Sequence, residues 1–233
     1  MLPFRAIENP MILKALMTCG ARLAHSIDPM YDEQKALDLY HTASQELLDC
    51  LRDPGRDSAL CAIISIILSI YEMLSPRHSH SANHVIGARA LIKECGWDAN
   101  TPGLGGACFR LYSTVELLSC FRPSPCLLWN FDSWDEDMNM DEEQSHAIFN
   151  EEIWTHHMVY ICAKVTSYRF SMDQFQELDR EADATTISQR CQEWDLYKKW
   201  CDQWNSAVPQ TMKPLGYIAP PQTGTESTFP VIW

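Results

Sequence analysis

"SIILSIYEMLSPRHSHSANHVIGARALIKECG", Ser65 to Gly96, decides how the chain is read. A run of aliphatic residues closes in Tyr71-Glu72. Three histidines follow (His78, His80 and His84), and Gly87-Ala88 then sits inside a second helical pattern. Such a stretch can be a membrane anchor, a metal site or two helices packed on each other. Length decides against the anchor: the thirteen residues from Ala59 to Tyr71 carry no charge and Glu72 ends the run, whereas a span needs about 20 apolar residues. His80 and His84 are four apart and on a helix would share a face, which suits a metal. Yet His78 and His80 stand beside Pro76 and among serines, and no HExxH and no carboxylate at a familiar spacing supports them. A loop with a capped helix start is expected there, with no metal ligands. A glycine inside a helix costs about 1 kcal/mol against alanine, so Gly87 is expected to let a neighbouring backbone come close. The aliphatic helix just before it is the obvious neighbour, and the stretch reads as a helical hairpin.

Working outward, helical periodicity dominates and no period-2 strand stands out. Asn9-Pro10 predicts a cap with proline at the first helical position, opening a helix to about Ala24. A second helix is expected from Asp32 to Leu51, with Leu37, Tyr40, Ser44, Leu47, Leu48 and Leu51 at spacings of three and four. Pro54-Gly55 makes a turn, and Asp57 is placed to cap the aliphatic helix that runs to Leu74. That helix is apolar nearly all round and should be the most buried element. The next is expected from Ser81 to Gly96, with Lys93 in its last turn; "DANTPGLGG" reads as a loop, and Ala107 to Phe121 as helix five. Longer helices are expected over Asp141–Arg169 and Ala184–Trp204, the latter with Ile187, Cys191, Trp194, Tyr197, Cys201 and Trp204 in one stripe. The predicted class is all-α: about seven helices over residues 9–204, then a proline-rich, irregular tail over 205–233.

Composition narrows the functions. The 233 residues are 46% hydrophobic, enough for one sizeable core, and carry a formal net charge of -13. A surface this acidic repels phosphate backbones, so direct binding of nucleic acid is not expected. Ten cysteines lie at spacings that match no disulfide framework or zinc module: the closest pair, Cys120 and Cys126, is six apart and no C-x2-C occurs. Cys61, Cys108 and Cys162 fall in apolar helical stretches, where a thiol acts as a small hydrophobe. An intracellular, reducing compartment with reduced thiols is expected.

"WNFDSWDEDMNMDEEQ", Trp129 to Gln144, concentrates acid and aromatic residues, with no Lys or Arg between Arg122 and Lys164. Trp129, Phe131, Asp132, Trp134, Asp135, Glu136 and Asp137 are read as a solvated acidic loop whose tryptophans reach the core, and as the candidate partner-facing surface. Asp132, Asp135 and Glu136 also allow an aspartate-rich magnesium site of the terpene-cyclase kind, though no second metal motif accompanies it. Glu151, Glu152, His156 and His157 miss the Glu-x-x-His pattern of di-iron helices, since Trp154 and Thr155 stand three beyond the two glutamates. A surface helix is expected. "GLGG" at Gly103 follows no strand and carries no nucleotide signal. No catalytic residue, metal or cofactor is expected, and the chain is read as a non-enzyme.

Leu68 and Tyr71-Glu72 closing an aliphatic helix, then His84 with Gly87-Ala88 and Leu91-Ile92, resemble the "L..YE … H..GA..L" core of the fungal-specific transcription factor domain. "YHTASQELLDCL", "ACFRLYSTVELLSCF" and "WDLYKKWCDQWNSAVP" with the closing "FPVIW" resemble further helices of that family in the same order. The likeness runs from about Ile12 to Trp233. It implies a helical regulatory domain of fungal zinc-cluster transcription factors, in which Tyr71, Glu72, His84, Gly87, Ala88, Leu91, Trp204 and Pro209 are structural. It further implies nuclear location, protein partners or self-association, and room for a small-molecule effector. The six-cysteine zinc cluster that reads DNA in that family has no counterpart here, so a regulator without its own DNA-binding module is expected. The family domain usually continues where this chain stops, so 205–233 is expected to be a truncated continuation. An all-α metal-dependent enzyme using the aspartate-rich loop, or a vestigial fragment, are the alternatives.

Overall fold

The first three helices begin where a side chain satisfies backbone N–H groups that the helix itself leaves open. In the computed structural model, which describes residues 6–28, 30–75, 83–121, 138, 151–178, 184–213, 216–218 and 231–232, Asn9 Oδ1 accepts from the backbone of Met11 at 3.0 Å and Ile12 at 3.2 Å. This opens α1, Pro10–Ile27. Asp32 caps α2, Glu33–Leu51, through Gln34 N at 2.9 Å. Asp57 caps α3, Ser58–Leu74, through Leu60 N at 3.0 Å. α4 is Asn83–Cys95 and α5 is Leu104–Cys120. α6, Glu151–Leu178, and α7, Ala184–Ala207, complete the long helices among the described residues. The class is all-α.

The chain forms two compact units, Met1–Glu136 and Asp137–Trp233. In the first, α3 is the centre. Every residue from Cys61 to Ser69 is buried, as are Tyr71 and Glu72. A helix apolar on all sides is stable only when walled on all sides, and α1, α2, α4 and α5 all pack against it. Among the described helices its pairing with α4 is the most extensive, so the hairpin reading of the central stretch holds. Arg22 of α1 finishes the C-terminal end of α3: its Nε donates to the Leu74 carbonyl at 2.9 Å while Nη1 pairs with Glu33 of α2 at 3.1 Å. A cation on the last carbonyls of a helix also opposes the negative end of its dipole. Cys19 Sγ donates to the Ile67 carbonyl at 3.2 Å, and burial pushes its thiol up to about 11. It behaves as a core hydrophobe, as the sequence suggests for its thiols.

The expectations for the glycines need correction. The "GLGG" run is not wholly loop: α5 begins at Leu104, three residues before the predicted start. Gly103 sits at φ +70°, a left-handed turn that glycine adopts without strain. A Cβ on Gly106 would fall 2.0 Å from the Thr101 carbonyl, and one on Gly105 2.8 Å from Thr101 and Trp97. The glycines let the incoming loop lie across the first turn, which a period count does not reveal. Gly87 departs in the opposite direction. A Cβ there would meet Ser65 Oγ at 3.5 Å, an ordinary contact. The α3–α4 approach therefore does not require glycine. Gly87→Ala is accordingly expected to be neutral to stabilising, by up to about 1 kcal/mol, from helix propensity alone; chemical denaturation checks it.

The second unit pairs α6 with α7. Tyr160 lies 6.0 Å from Trp200, and Tyr168 lies 6.2 Å from Trp194 and 6.1 Å from Tyr197 by ring centroids. Trp204 Nε1 donates to the Trp154 carbonyl at 2.8 Å, which ties the end of α7 to α6. The predicted stripe on α7 is half right: Tyr197 and Trp204 join the seam together with Trp200, Trp194 meets Tyr168 while half exposed, and Ile187 and Cys191 stay exposed. α6 runs on nine residues past Arg169; its predicted start at Asp141 falls outside the described residues. Pro209 precedes a short 3-10 turn, Gln210–Met212. The tail is not wholly irregular, since Tyr217–Ile218 and Val231–Ile232 pair as antiparallel two-residue strands.

Candidate functional site

Glu72 closes α3 with its carboxylate inside the protein, at 1% exposure. A carboxylate in such surroundings is costly unless hydrogen-bonded. Tyr40 of α2 donates its phenol to Glu72 Oε1 at 2.9 Å, and His84 of α4 places Nδ1 2.8 Å from the same oxygen. Tyr40 also stacks on Tyr71, with centroids 4.5 Å apart. Burial, then the Glu72 charge, holds the Tyr40 phenol well above its ordinary range, so it remains a donor. Ser65 Oγ donates to the His84 carbonyl at 3.0 Å. One oxygen thus ties three helices together. Ala88 and Leu91 are buried on the same side of α4 as His84, so Tyr71, Glu72, His84, Ala88 and Leu91 are brought together.

Beside this knot, α2, α3 and α4 enclose a groove of about 630 Å³. Tyr40, Ser44 and His84 stand at one end, and Leu47, Leu48, Leu51, Ala90 and Leu91 form apolar walls. The polar edge of the predicted α2 stripe therefore faces a cavity: Leu48 is half exposed while Ala36 and Ala43 pack into the core. Gly87 lines the groove without narrowing it. At the far end Arg56 Nη2 reaches both oxygens of Glu94, at 2.8 and 3.0 Å, and Ser58 hydrogen-bonds the same carboxylate. The Ser58 hydroxyl and then the Arg56 charge hold the Glu94 carboxyl below its usual range. Charge at this end of the groove is matched internally.

A second buried knot joins α4 to α5. Arg89 Nε donates to the Tyr112 hydroxyl at 3.1 Å and Nη2 pairs with Glu116. Tyr112 and Glu116 are both fully buried. Sequence reasoning missed Arg89, Tyr112, Arg56 and the role of Tyr40. A signal was present: Glu72 is the single charge of α3 and Glu116 the single acid of α5, each beside apolar residues, and a carboxylate so placed demands a buried partner.

Among the described residues no group of three or more His, Cys, Asp or Glu side chains is arranged to hold a metal ion. No described helix is long and apolar enough to cross a membrane. His78, His80 and the acidic-aromatic residues Trp129, Phe131, Asp132, Trp134, Asp135, Glu136 and Asp137 lie outside the described residues. His156 and His157 correct the surface-helix expectation: both are 3% exposed, and His157 packs edge-on to Trp154 at 6.0 Å. Their neighbours in sequence, Glu151 and Glu152, are exposed as expected.

A model of the fungal specific transcription factor domain matches residues 1–211. The chain belongs to that family. Neither the curated proteins nor the solved structures searched contain a match to it. A fungal specific transcription factor domain supports a role in transcription regulation, and the family is not one of enzymes. The Glu72 and His84 side chains form the knot, and Gly87 and Leu91 line the groove.

Proposed function

We propose that this chain is the regulatory domain of a nuclear transcription regulator, acting through protein contacts and through an effector seated in the α2–α3–α4 groove. It makes no base contacts of its own. The groove supports this reading: its 630 Å³ lies within the range of ligand pockets, about 300–1,000 Å³, and joins apolar walls to a few convergent polar groups. Because Arg56 and Glu94 already neutralise each other, the fitting effector class is a largely apolar small molecule with an uncharged polar end at Tyr40 and His84. The net charge of -13 opposes binding to duplex DNA.

Two measurements on the same preparation test it. The chain alone is expected to give no sequence-specific mobility shift of duplex DNA at physiological salt, with or without zinc. Tethered to an unrelated DNA-binding module, it is expected to change reporter transcription severalfold, and Gly87→Leu, which fills the groove, is expected to change that response while the fold is retained. A specific, zinc-dependent shift by the chain alone would contradict the reading.

A further inference from the structure

We propose that Cys50 and Cys61 form a peroxide-oxidisable dithiol, a modification site that closes to an intrachain disulfide between the end of α2 and the start of α3. The two sulfurs lie 3.4 Å apart, with Cys61 donating to Cys50. A disulfide bond is about 2.05 Å long, so thiol rotation and a small shift at two helix ends bring them to bonding distance. The connection between them is already fixed. Asp53 N donates to the Cys50 carbonyl at 3.1 Å, Arg56 N to the Asp53 carbonyl at 3.1 Å, and Gly55 N to Asp53 Oδ1 at 2.9 Å. The turn therefore holds the pair together rather than letting it drift apart.

The two thiols differ in access. Cys61 is fully buried, while Cys50 is half-buried at the last turn of α2. Burial, with the Cys50 neighbour adding to it, pushes the Cys61 thiol up to about 12, so it stays protonated at neutral pH. Cys50 is the sulfur that meets the oxidant. Its thiolate attacks one peroxide oxygen, the O–O bond breaks, and water leaves once the hydroxide takes up the proton; Cys50 is then a sulfenic acid. The Cys61 sulfur attacks the Cys50 sulfur, the S–O bond breaks, and the Cys61 proton leaves with the hydroxyl as a second water. Peroxide is reduced by two electrons, which the two thiols supply. Leu51 and Arg56, which flank this corner, line the groove, so oxidation would stiffen one groove wall. The inference does not rest on the groove having an occupant.

Trypsin separates the two cysteines, because Arg52 and Arg56 lie between them. The folded full chain is treated with hydrogen peroxide, alkylated in denaturant, digested and weighed. The expected result is one cross-linked species joining Ala36–Arg52 to Asp57–Arg77, with both thiols lost to alkylation and both recovered after dithiothreitol. In Cys50→Ser the cross-link is absent and Cys61 stays fully alkylatable after the same exposure. Separate, alkylated peptides at peroxide doses that already oxidise the exposed Cys191 would overturn the proposal. So would conversion of Cys50 to sulfinic acid with no cross-link. Retention of the fold by Cys50→Ser is read from circular dichroism; if that variant unfolds, Cys61→Ala carries the same expectation for loss of the cross-link.

Discussion

Arg89→Ala is expected to lower unfolding free energy by about 3–5 kcal/mol, because it strips a buried carboxylate of its balancing cation. Glu116 is 0% exposed and lies in the final third of α5, while Arg89 reaches it from α4 at 21% side-chain exposure. The loss is not that of a surface pair, which is worth at most about 1 kcal/mol. It is the energy of withdrawing a hydrogen-bonded cation from a carboxylate held in the core. Tyr112, which takes the Arg89 Nε–H, loses its donor at the same time. The control separates charge from packing: Arg89→Met with Glu116→Leu removes both charges at similar volume and is expected to recover most of the stability. Urea denaturation followed by circular dichroism checks both variants. A loss below about 1 kcal/mol in Arg89→Ala would mean that the pair is not buried as described.

The second large effect is at Glu72. Glu72→Ala is expected to cost about 2–4 kcal/mol, since it leaves Tyr40 and His84 without their shared acceptor and opens space at the end of the central helix. The damage should extend beyond α3: the carboxylate is where α2, α3 and α4 meet. Hydrogen exchange is the sensitive readout, with amides of α2 and α4 losing protection together with those of α3.

Much of this was legible in residues. The caps at Asn9 and Asp57 were, because each stands directly before an apolar period and has the short acceptor side chain a helix start needs, whereas Asp32, read as the first residue of its helix, proves to be its cap. The burial of α3 was, because a helix with no polar face has nowhere else to go. The failures have physical causes. Gly105 and Gly106 were read as loop because glycine usually breaks periodicity, whereas here Thr101 and Trp97 occupy the space their side chains would fill. Gly87 was read as a close-approach residue, and its neighbour turned out to be a serine hydroxyl at ordinary distance. His156 and His157 look polar in sequence, yet Trp154, Tyr160, Ile161 and Ala163 bury the same turns of α6 and take the imidazoles with them. The groove was invisible. It depends on which edge of α2 is left uncovered by α3 and α4, a question of helix placement that no single helix encodes.

The central claim is that the Tyr71-Glu72 … His84 series holds helices together. A double-mutant cycle on Tyr40→Phe and Glu72→Leu, measured by urea unfolding near neutral pH, addresses it most directly. Each single change should destabilise, and the two should couple by about 1–3 kcal/mol, the worth of a buried hydrogen bond to a charged group. Strict additivity, within about 0.3 kcal/mol, would show that the phenol and the carboxylate do not support each other, and the claim would fail.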